Sequence, residues 1–144
     1  MHPFQDQINR MWLLIKLRIK ANKQGFWLEV VDLSYVILEI KLRLLLTSKA
    51  GKKNLPIPKE KIEKQDYLMT LANLAKDNYF LNQNIWKKVK DFNKTRTDAI
   101  HGLAQGRISY HDLEDICKNT ENLINEIQNS WLPITYGNEE TSKD

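Results

Sequence analysis

The sequence predicts an all-α fold, a single-domain bundle of four to five helices. Five Gly and four Pro make up about 6% of the 144 residues, roughly half the usual share, so long helices are expected. Apolar residues recur at helical spacing in segments separated by Gly, Pro and Asn, and the strict alternation of a half-buried strand does not occur. With 42% hydrophobic and 28% charged residues, the chain is able to bury one core of its own.

The first two helical segments differ in character. Residues 4–23 predict a basic amphipathic helix, with apolar side chains on one face and basic side chains on the others. Gly25 separates this helix from residues 26–48, where Leu, Val and Ile occur on nearly every side, as expected of a central, buried helix. The apolar face of the first helix is predicted to hold Ile8, Met11, Trp12, Ile15 and Ile19, and its basic side chains are Arg10, Lys16, Arg18, Lys20 and Lys23.

Two further helices are predicted in the middle of the chain. A Lys-rich stretch with one Gly and two Pro, residues 50–61, is expected to form a loop. A third helix with a weaker apolar face follows over residues 60–78. Asn82 and Asn84 begin a fourth helix, which spans residues 83–103.

The last predicted helix has the clearest boundaries. Ser109 and Asp112 have the spacing of a capping box, and Pro133 is expected to end the helix. We therefore expect one domain over residues 1–134 and a polar tail over residues 135–144. The apolar stripe of this helix is Leu113, Ile116, Cys117, Thr120, Leu123, Ile124, Ile127 and Trp131.

The chain carries few of the residues that metal or cofactor chemistry needs. Its single cysteine, Cys117, excludes a disulfide framework and a zinc site built from several cysteines. On an apolar stripe, this thiol is expected to be an inert core residue rather than a nucleophile. The three histidines form no metal-binding pair at helical spacing, and neither a Gly-rich phosphate loop nor a nucleophile elbow occurs. The sequence predicts no metal and no cofactor.

The sequence also predicts a cytoplasmic protein without a membrane partner. The first ten residues do not resemble an export signal. The most apolar run, residues 33–46, contains three charged residues and is shorter than the roughly 20 residues that cross a bilayer. Docking on a membrane surface nevertheless stays open as a function of the basic first helix, through Lys16, Arg18, Lys20 and Lys23.

Arg96 occupies a core position on the fourth helix. At 100° per residue it falls near the middle of the apolar face formed by Ile85, Val89, Phe92, Ala99 and Leu103. One explanation is structural, an arginine that pairs with an acid on a neighbouring helix, such as Glu39. The other is functional, since a guanidinium at a cleft or subunit interface is a bidentate donor for phosphate.

His101 follows Arg96 after four residues, which makes the two a candidate pair. On an ideal helix they are about 140° and about 7.5 Å apart, so one straight helix does not bring them together. Either Gly102 ends the helix and lets the histidine swing, or two copies of the helix meet in one cleft. Asp98, three residues before His101, is a candidate to orient the imidazole, although a solvated surface acid explains it equally well.

A basic row leads toward His101 on the same helix. Lys87, Lys90 and Lys94 fall within about 60° of the histidine on the helical wheel. Trp86 and Phe92 offer aromatic surface nearby for stacking with bases, so we consider the three lysines candidate RNA-binding residues. The alternative is an ordinary solvated face.

The segment RTDAIH, from Arg96 to His101, resembles the signature of HEPN domains. That signature is an Arg, four to six residues and a His near the end of a penultimate long helix. The break at Gly102 and the amphipathic helix after it are similar to the usual ending of such domains. The similarity in helix number and order covers roughly residues 4–134. It implies a HEPN-like bundle that forms a homodimer, with two motifs facing one cleft.

The resemblance also implies an activity, a metal-independent endoribonuclease. Many HEPN proteins are toxins or parts of RNA-based defence, which implies RNA as a partner and an antitoxin or regulatory protein as another. Carried over, Arg96 binds the scissile phosphate and His101 transfers a proton as the ribose 2′-hydroxyl attacks. Thr97 stands where active members commonly have Asn, Asp or His. Leu103 stands where members paired with a nucleotidyltransferase antitoxin have Tyr.

The leading hypothesis is thus a HEPN-type ribonuclease, and the alternative is a non-catalytic helical module that binds RNA or protein. The distribution of charge bears on both. Residues 1–106 carry 19 basic and 10 acidic side chains, whereas residues 107–144 carry 3 and 8, within a net charge of +4. The sequence therefore predicts a positive face that leads to the motif and an acidic last helix that is excluded from the phosphate path or shields it.

Overall fold

The computed structural model describes residues 3–53, 62 and 67–135, and no strand occurs among them. The predicted all-α fold is confirmed for this part of the chain, which forms five α-helices. A short 3-10 turn, Tyr110–Asp112, precedes the last of them. The helices are α1 (Pro3–Lys23), α2 (Trp27–Lys53), α3 (Leu68–Asp77), α4 (Gln83–Ala104) and α5 (Leu113–Thr135).

Helix α2 lies at the centre of the bundle. Helices α1, α3 and α5 pack against it, and α4 packs against α3 and α5. The sequence explains this position, because a helix that is apolar on nearly every side is stable only when neighbours cover it. Leu38, Leu42 and Leu45 of α2 are fully buried. The prediction of a central, buried second helix is confirmed.

Glycines end two of the helices by adopting positive φ. Gly25 and Gly106 each have φ of 72°. After α1, the N–H of Phe26 donates to the carbonyl of Ala21 at 2.9 Å, and after α4, the N–H of Arg107 donates to that of Gly102 at 2.8 Å. These bonds satisfy carbonyls that the end of a helix otherwise leaves unpaired. The predicted break at Gly25 is thereby confirmed.

Side-chain caps begin the two helices that follow a loop in the second half of the chain. The Asn82 side chain accepts a hydrogen bond from the N–H of Ile85 at 2.8 Å. Ser109 and Asp112 form the predicted capping box, in which each side chain accepts from the other residue's N–H. The backbone N–H and hydroxyl of Ser109 lower the pKa of the Asp112 carboxyl. Both predicted helix starts are confirmed, although the box first opens the 3-10 turn.

Three predicted boundaries need correction. Helix α2 runs on to Lys53, so residues 50–53 are helical rather than loop, and residues 54–61 lie outside the described part. The predicted helix over residues 60–78 is interrupted at Tyr67, whose backbone is extended, so the described helix α3 begins at Leu68. Helix α5 passes Pro133 and ends at Thr135, so the predicted end at the proline is wrong by two residues. The predicted tail after Thr135 and the side chain of Trp131 lie outside the described residues.

The buried face of α1 differs from the predicted one. Trp12 and Ile19, expected in the core, are 54% and 49% exposed, whereas Arg18, expected on the polar side, is buried. The buried face is shifted from the predicted one toward Leu14, Arg18 and Ala21, while Met11 is buried and Ile8 and Ile15 are half-buried, as predicted. Arg18 tolerates burial because its guanidinium has partners, described below. The side chains of α1 that are described as buried or half-buried are Asp6, Gln7, Ile8, Met11, Leu14, Ile15, Arg18 and Ala21.

Candidate functional site

Helix α4 presents Arg96 at the edge of the core. Ile85, Val89, Phe92 and Ala99 are buried along one face of α4, as predicted. Arg96 lies on that face between Phe92 and Ala99, and its side chain retains 27% exposure. Leu103, the last member of the predicted face, is only half-buried, and the neighbouring glycine takes the inner position instead.

The guanidinium of Arg96 contacts two residues of α2. Its Cζ lies 4.2 Å from the centre of the Tyr35 ring, and its Nη2 lies 3.5 Å from Oδ1 of Asp32. The predicted pairing with an acid on a neighbouring helix therefore exists, but with Asp32. Glu39 instead forms an ion pair with Arg43 at 3.1 Å.

These contacts position the guanidinium of Arg96 but do not occupy all of its hydrogen-bond donors. The Asp32 carboxylate is 54% exposed, and a pair of this length near water is worth no more than about 1 kcal/mol. The Tyr35 hydroxyl accepts a hydrogen bond from the N–H of Leu68 at 3.4 Å, which ties the stacked ring to the start of α3. The Nε atom of Arg96 is buried and has no hydrogen-bond partner among the described residues. The remaining donors lie at the surface, where an anion is able to compete with Asp32.

His101 lies on the exposed side of the last turns of α4. The helix continues through Gly102 to Ala104, close to the predicted end at residue 103, so the alternative in which Gly102 ends the helix and lets the histidine swing is not observed. The reason is packing, since a Cβ at position 102 would lie only 3.2 Å from Cγ1 of Ile108, and glycine lets that side chain close over the helix. His101 is therefore fixed on a regular helix. Within one chain, the fold leaves it on a different side of α4 from Arg96.

Asp98 is also exposed, and it makes no hydrogen bond or ion pair with His101 in the described structure. The side chain just before it is engaged elsewhere, because Thr97 Oγ1 donates to the carbonyl of Asn93 at 3.0 Å. A single chain thus provides the imidazole without an orienting carboxylate.

The three candidate lysines Lys87, Lys90 and Lys94 are all exposed on α4. Of the two nearby aromatic residues, Phe92 is buried in the core and has no face to offer a base, which corrects that expectation. Trp86 is half-buried, and Lys90 Nζ lies 5.3 Å from the centre of its ring.

The surroundings of Trp86 extend the basic surface onto α3. Lys76 Nζ lies 3.9 Å from the centre of the Trp86 ring, and the indole Nε1 donates to Asn73 Oδ1 at 2.8 Å. Helix α5 lies on the other side of α4, where Lys88 forms a 2.7 Å ion pair with Glu126. The acidic helix therefore neutralises one lysine of α4 and leaves the three candidate lysines without a carboxylate partner in the described structure.

Sequence analysis missed three residues of this region, Asp32, Tyr35 and Lys76. The all-round apolar pattern of α2 gives no signal for the side of the helix that faces α4, so neither the acid nor the ring could be assigned to Arg96. Lys76 falls in the last turn of α3, where a basic side chain is favourable for the helix alone.

Other predicted features are found as follows. Cys117 is buried, its Sγ donates to the carbonyl of Trp27 at 3.4 Å, and burial raises the pKa of the thiol to about 11, as suits a core thiol. Within residues 3–53, 62 and 67–135, no three His, Cys, Asp or Glu side chains cluster as metal ligands would. None of the helices in these ranges has the length and apolar character to span a membrane.

Comparisons of the chain with models of protein families, with curated proteins and with solved structures find no match.

Proposed function

We propose that the protein is a HEPN-type, metal-independent endoribonuclease that acts as a homodimer. The observation that carries the proposal is the state of Arg96, a partly exposed guanidinium that lies over the Tyr35 ring and has, among the described residues, only the exposed acid Asp32 as its ionic partner. A prepositioned guanidinium of this kind is suited to bidentate contact with phosphate. The exposed His101 on the same helix adds an imidazole, a group able both to accept and to donate a proton.

The proposed reaction divides the work between these two side chains. The ribose 2′-hydroxyl attacks the adjacent phosphorus, the bond from phosphorus to the 5′-oxygen breaks, and a cyclic phosphate remains on the upstream product. The 2′-hydroxyl loses its proton as it attacks and the departing 5′-oxygen takes one up. His101 transfers this proton, and Arg96 offsets the negative charge that builds on the phosphate oxygens. RNA reaches the site along Lys87, Lys90 and Lys94, which contact its backbone.

A homodimer is part of the proposal because one chain holds the two groups apart. Arg96 faces α2, whereas His101 lies about 140° further round the same helix. Two copies of α4 facing each other across one cleft would place the histidine of one copy near the arginine of the other. Asp98, exposed beside His101, becomes available to the partner's cleft in the same arrangement.

A second candidate, a non-catalytic module that binds RNA or a regulatory protein, is favoured by a different observation. Arg96 already has an acid and an aromatic partner within its own chain, which is how a purely structural arginine is expected to look. In this case the exposed lysines bind RNA or an acidic partner, and no bond is broken.

An RNA cleavage assay in excess chelator separates the two candidates. Purified protein is incubated with structured and single-stranded RNA, and His101→Ala and Arg96→Ala are compared with wild type. We expect both substitutions to lower the cleavage rate by at least about 100-fold, as is typical of the loss of a general acid–base group. The matched control is His111→Ala, because His111 is also an exposed histidine but lies on the 3-10 turn near Glu114.

The assay needs the oligomeric state measured at the same protein concentration. Sedimentation of wild type should give the mass of two chains, and the variants should keep it. Cleavage that persists unchanged in His101→Ala contradicts the assigned site. RNA binding without products from a dimeric wild-type protein favours the non-catalytic module.

A further inference from the structure

A groove of about 640 Å³ runs between α1, α2 and α5, apart from the region around Arg96. Its walls are largely apolar, with Ile15 and Trp12 from α1, Ile37 from α2 and Ile124 from α5 among the lining side chains. A groove of this size falls in the range of small-molecule sites. Trp12 is 54% exposed here, so the apolar wall is open to solvent.

Two cationic side chains line the groove although both are buried. Lys41 and Arg18 each retain only 7% exposure. The Arg18 guanidinium donates to Ser34 Oγ at 2.7 Å and to the carbonyl of Cys117 at 3.1 Å. The Lys41 amine donates to Oε1 of Gln128. All of these acceptors are neutral, so the hydrogen bonds do not cancel the two charges.

Acidic side chains do not balance Lys41 either. Among the described residues that line the groove, Glu121 alone is acidic. It is exposed, and its charge acts on Arg18. Gln128, the partner of Lys41, is two turns further along α5 than Glu121, about 10 Å away along the axis. Burial lowers the pKa of Lys41 to about 8, with desolvation as the cause.

We propose that this groove binds a small amphipathic anion, an aliphatic or aromatic carboxylate whose head group lies on Lys41 and whose apolar body lies along Ile37 and Ile15. A buried cation without a counter-charge is costly, and an incoming carboxylate supplies that charge where water is already excluded. The apolar wall covers the rest of the ligand. At the other end of the groove the charge of Glu121 acts on Arg18, so Lys41 is the cation of the groove that lacks an acidic partner among the described lining residues.

The proposed site is independent of the proposed ribonuclease site. On α2, the groove residues Ile37 and Lys41 share one side, whereas Asp32 and Tyr35 face Arg96 from a side more than about 100° away. Loss of RNA cleavage therefore does not test the groove, and loss of ligand binding does not test the ribonuclease.

A head-group series tests the charge requirement directly. Decanoate, decanol and decyltrimethylammonium share one apolar tail, and each is titrated below its micellar concentration by calorimetry. Tryptophan fluorescence, to which Trp12 in the groove is one of four contributors, is a second readout. We expect decanoate to bind with one site per chain and about tenfold to a hundredfold more tightly than decanol, the range for a hydrogen bond to a charged group. We expect the cationic detergent not to bind. Equal affinity for decanoate and decanol overturns the proposal.

Substitutions then locate the head group. Lys41→Gln should weaken decanoate binding by at least about tenfold without changing decanol binding, and Lys41→Arg should keep decanoate binding. The matched control is Lys16→Gln, which removes an exposed charge from α1 outside the groove. Unchanged decanoate affinity in folded Lys41→Gln overturns the assignment to this groove. If Lys41→Gln does not fold, the head-group series on wild type decides.

Discussion

Lys41 shows how a single buried charge acts on the stability of the whole bundle. In the folded protein the amine is removed from water and bonded to the neutral side chain of Gln128. Desolvation lowers its pKa from 10.5 to about 8. Because the folded chain holds this proton less tightly than the unfolded chain, protonated Lys41 opposes folding.

We predict that replacing Lys41 by Met stabilises the protein at neutral pH. The shift of the Lys41 pKa corresponds to a destabilisation of the folded wild type by about 3 kcal/mol below pH 8. The variant removes this cost but also loses the hydrogen bond to Gln128, which is worth about 1 kcal/mol. Between pH 8 and 10.5 the unfolded chain keeps a proton that the folded chain has lost, so wild-type stability rises with pH in this window. The advantage of Lys41→Met should therefore shrink from pH 7 to pH 10.

Urea unfolding at several pH values, followed by circular dichroism, measures this difference. Lys16→Met is the control, because Lys16 is an exposed lysine on α1 whose removal should give a difference that is small and independent of pH. A constant offset between Lys41→Met and wild type across pH 7 to 10 would show that Lys41 is fully solvated when charged.

The sequence predicts the positions of individual side chains on their helices better than it predicts their partners on other helices. The position of Arg96 on the core face of α4 was predictable, because the apolar side chains around it follow one helical period. The partners of Arg96 were not predictable, since Asp32 and Tyr35 lie some 60 residues earlier in the chain. Their contact with Arg96 depends on how α2 is rotated in the bundle. Arg18 was placed on the wrong side, because hydrogen bonds to Ser34 and Cys117 make its burial possible.

At the scale of elements, three helices end in the same way but not with the same residue. Gly25 and Gly106 have positive φ after α1 and α4, and Tyr79 has φ of 62° after α3. The N–H of Phe80 donates to the carbonyl of Ala75 at 2.8 Å, so the end of α3 has the bond that the glycine-ended helices have. The tyrosine is 91% exposed, and its side chain gains nothing in return for the strained backbone.

We predict that Tyr79→Gly stabilises the protein by about 1 kcal/mol, because glycine removes the left-handed backbone penalty of a residue with a Cβ. The melting temperature should rise by about 2–4 °C for a chain of this size. The matched control is Gly106→Ala, which should lower stability by a similar amount. Nothing lies within 4 Å of a Cβ built at Gly106, so backbone strain is the only cause of that loss. A lower melting temperature for Tyr79→Gly contradicts the prediction.

Helix boundaries that carry a local cap were predictable, whereas the end of α2, the start of α3 and the end of α5 were not. Three boundaries are set by hydrogen bonds between residues close in sequence: the cap at Asn82, the capping box of Ser109 and Asp112, and the turn at Gly25. Because such bonds depend only on neighbouring residues, the sequence predicts them. The end of α3 lies within one residue of the predicted end, but the positive φ of Tyr79 and the buried face of α1 were not predictable in this way. At position 79 a tyrosine occupies a backbone conformation that its Cβ disfavours. The buried face of α1 depends on which side of this helix packs best against α2.

At the scale of the whole molecule, charge is divided between neighbouring helices. Helix α4 carries the exposed lysines at one side, and the acidic α5 packs against another side of α4. The Lys88 and Glu126 ion pair joins the two helices at 2.7 Å. The net charge of +4 therefore combines basic side chains exposed on α4 with acidic side chains on α5.

This division leads to a prediction about the salt dependence of RNA binding. Each phosphate contact made by a lysine releases condensed counterions, so removing three such contacts lowers the slope of log K against log salt by about 2 for single-stranded RNA. We expect this change in the triple variant Lys87→Gln, Lys90→Gln and Lys94→Gln, measured by fluorescence anisotropy with a labelled RNA between low and physiological salt. Affinity at low salt should fall with it.

The control removes the same charge from another helix. Lys16→Gln, Lys20→Gln and Lys23→Gln together neutralise three exposed lysines of α1 and leave α4 intact. If the basic excess acts only through net charge, both triple variants lose affinity equally and keep similar slopes. If α4 carries the RNA path, only its variant loses the slope. Equal effects would thus contradict a defined RNA surface on α4, because long-range attraction is screened within about 8 Å at physiological salt and does not produce specific phosphate contacts.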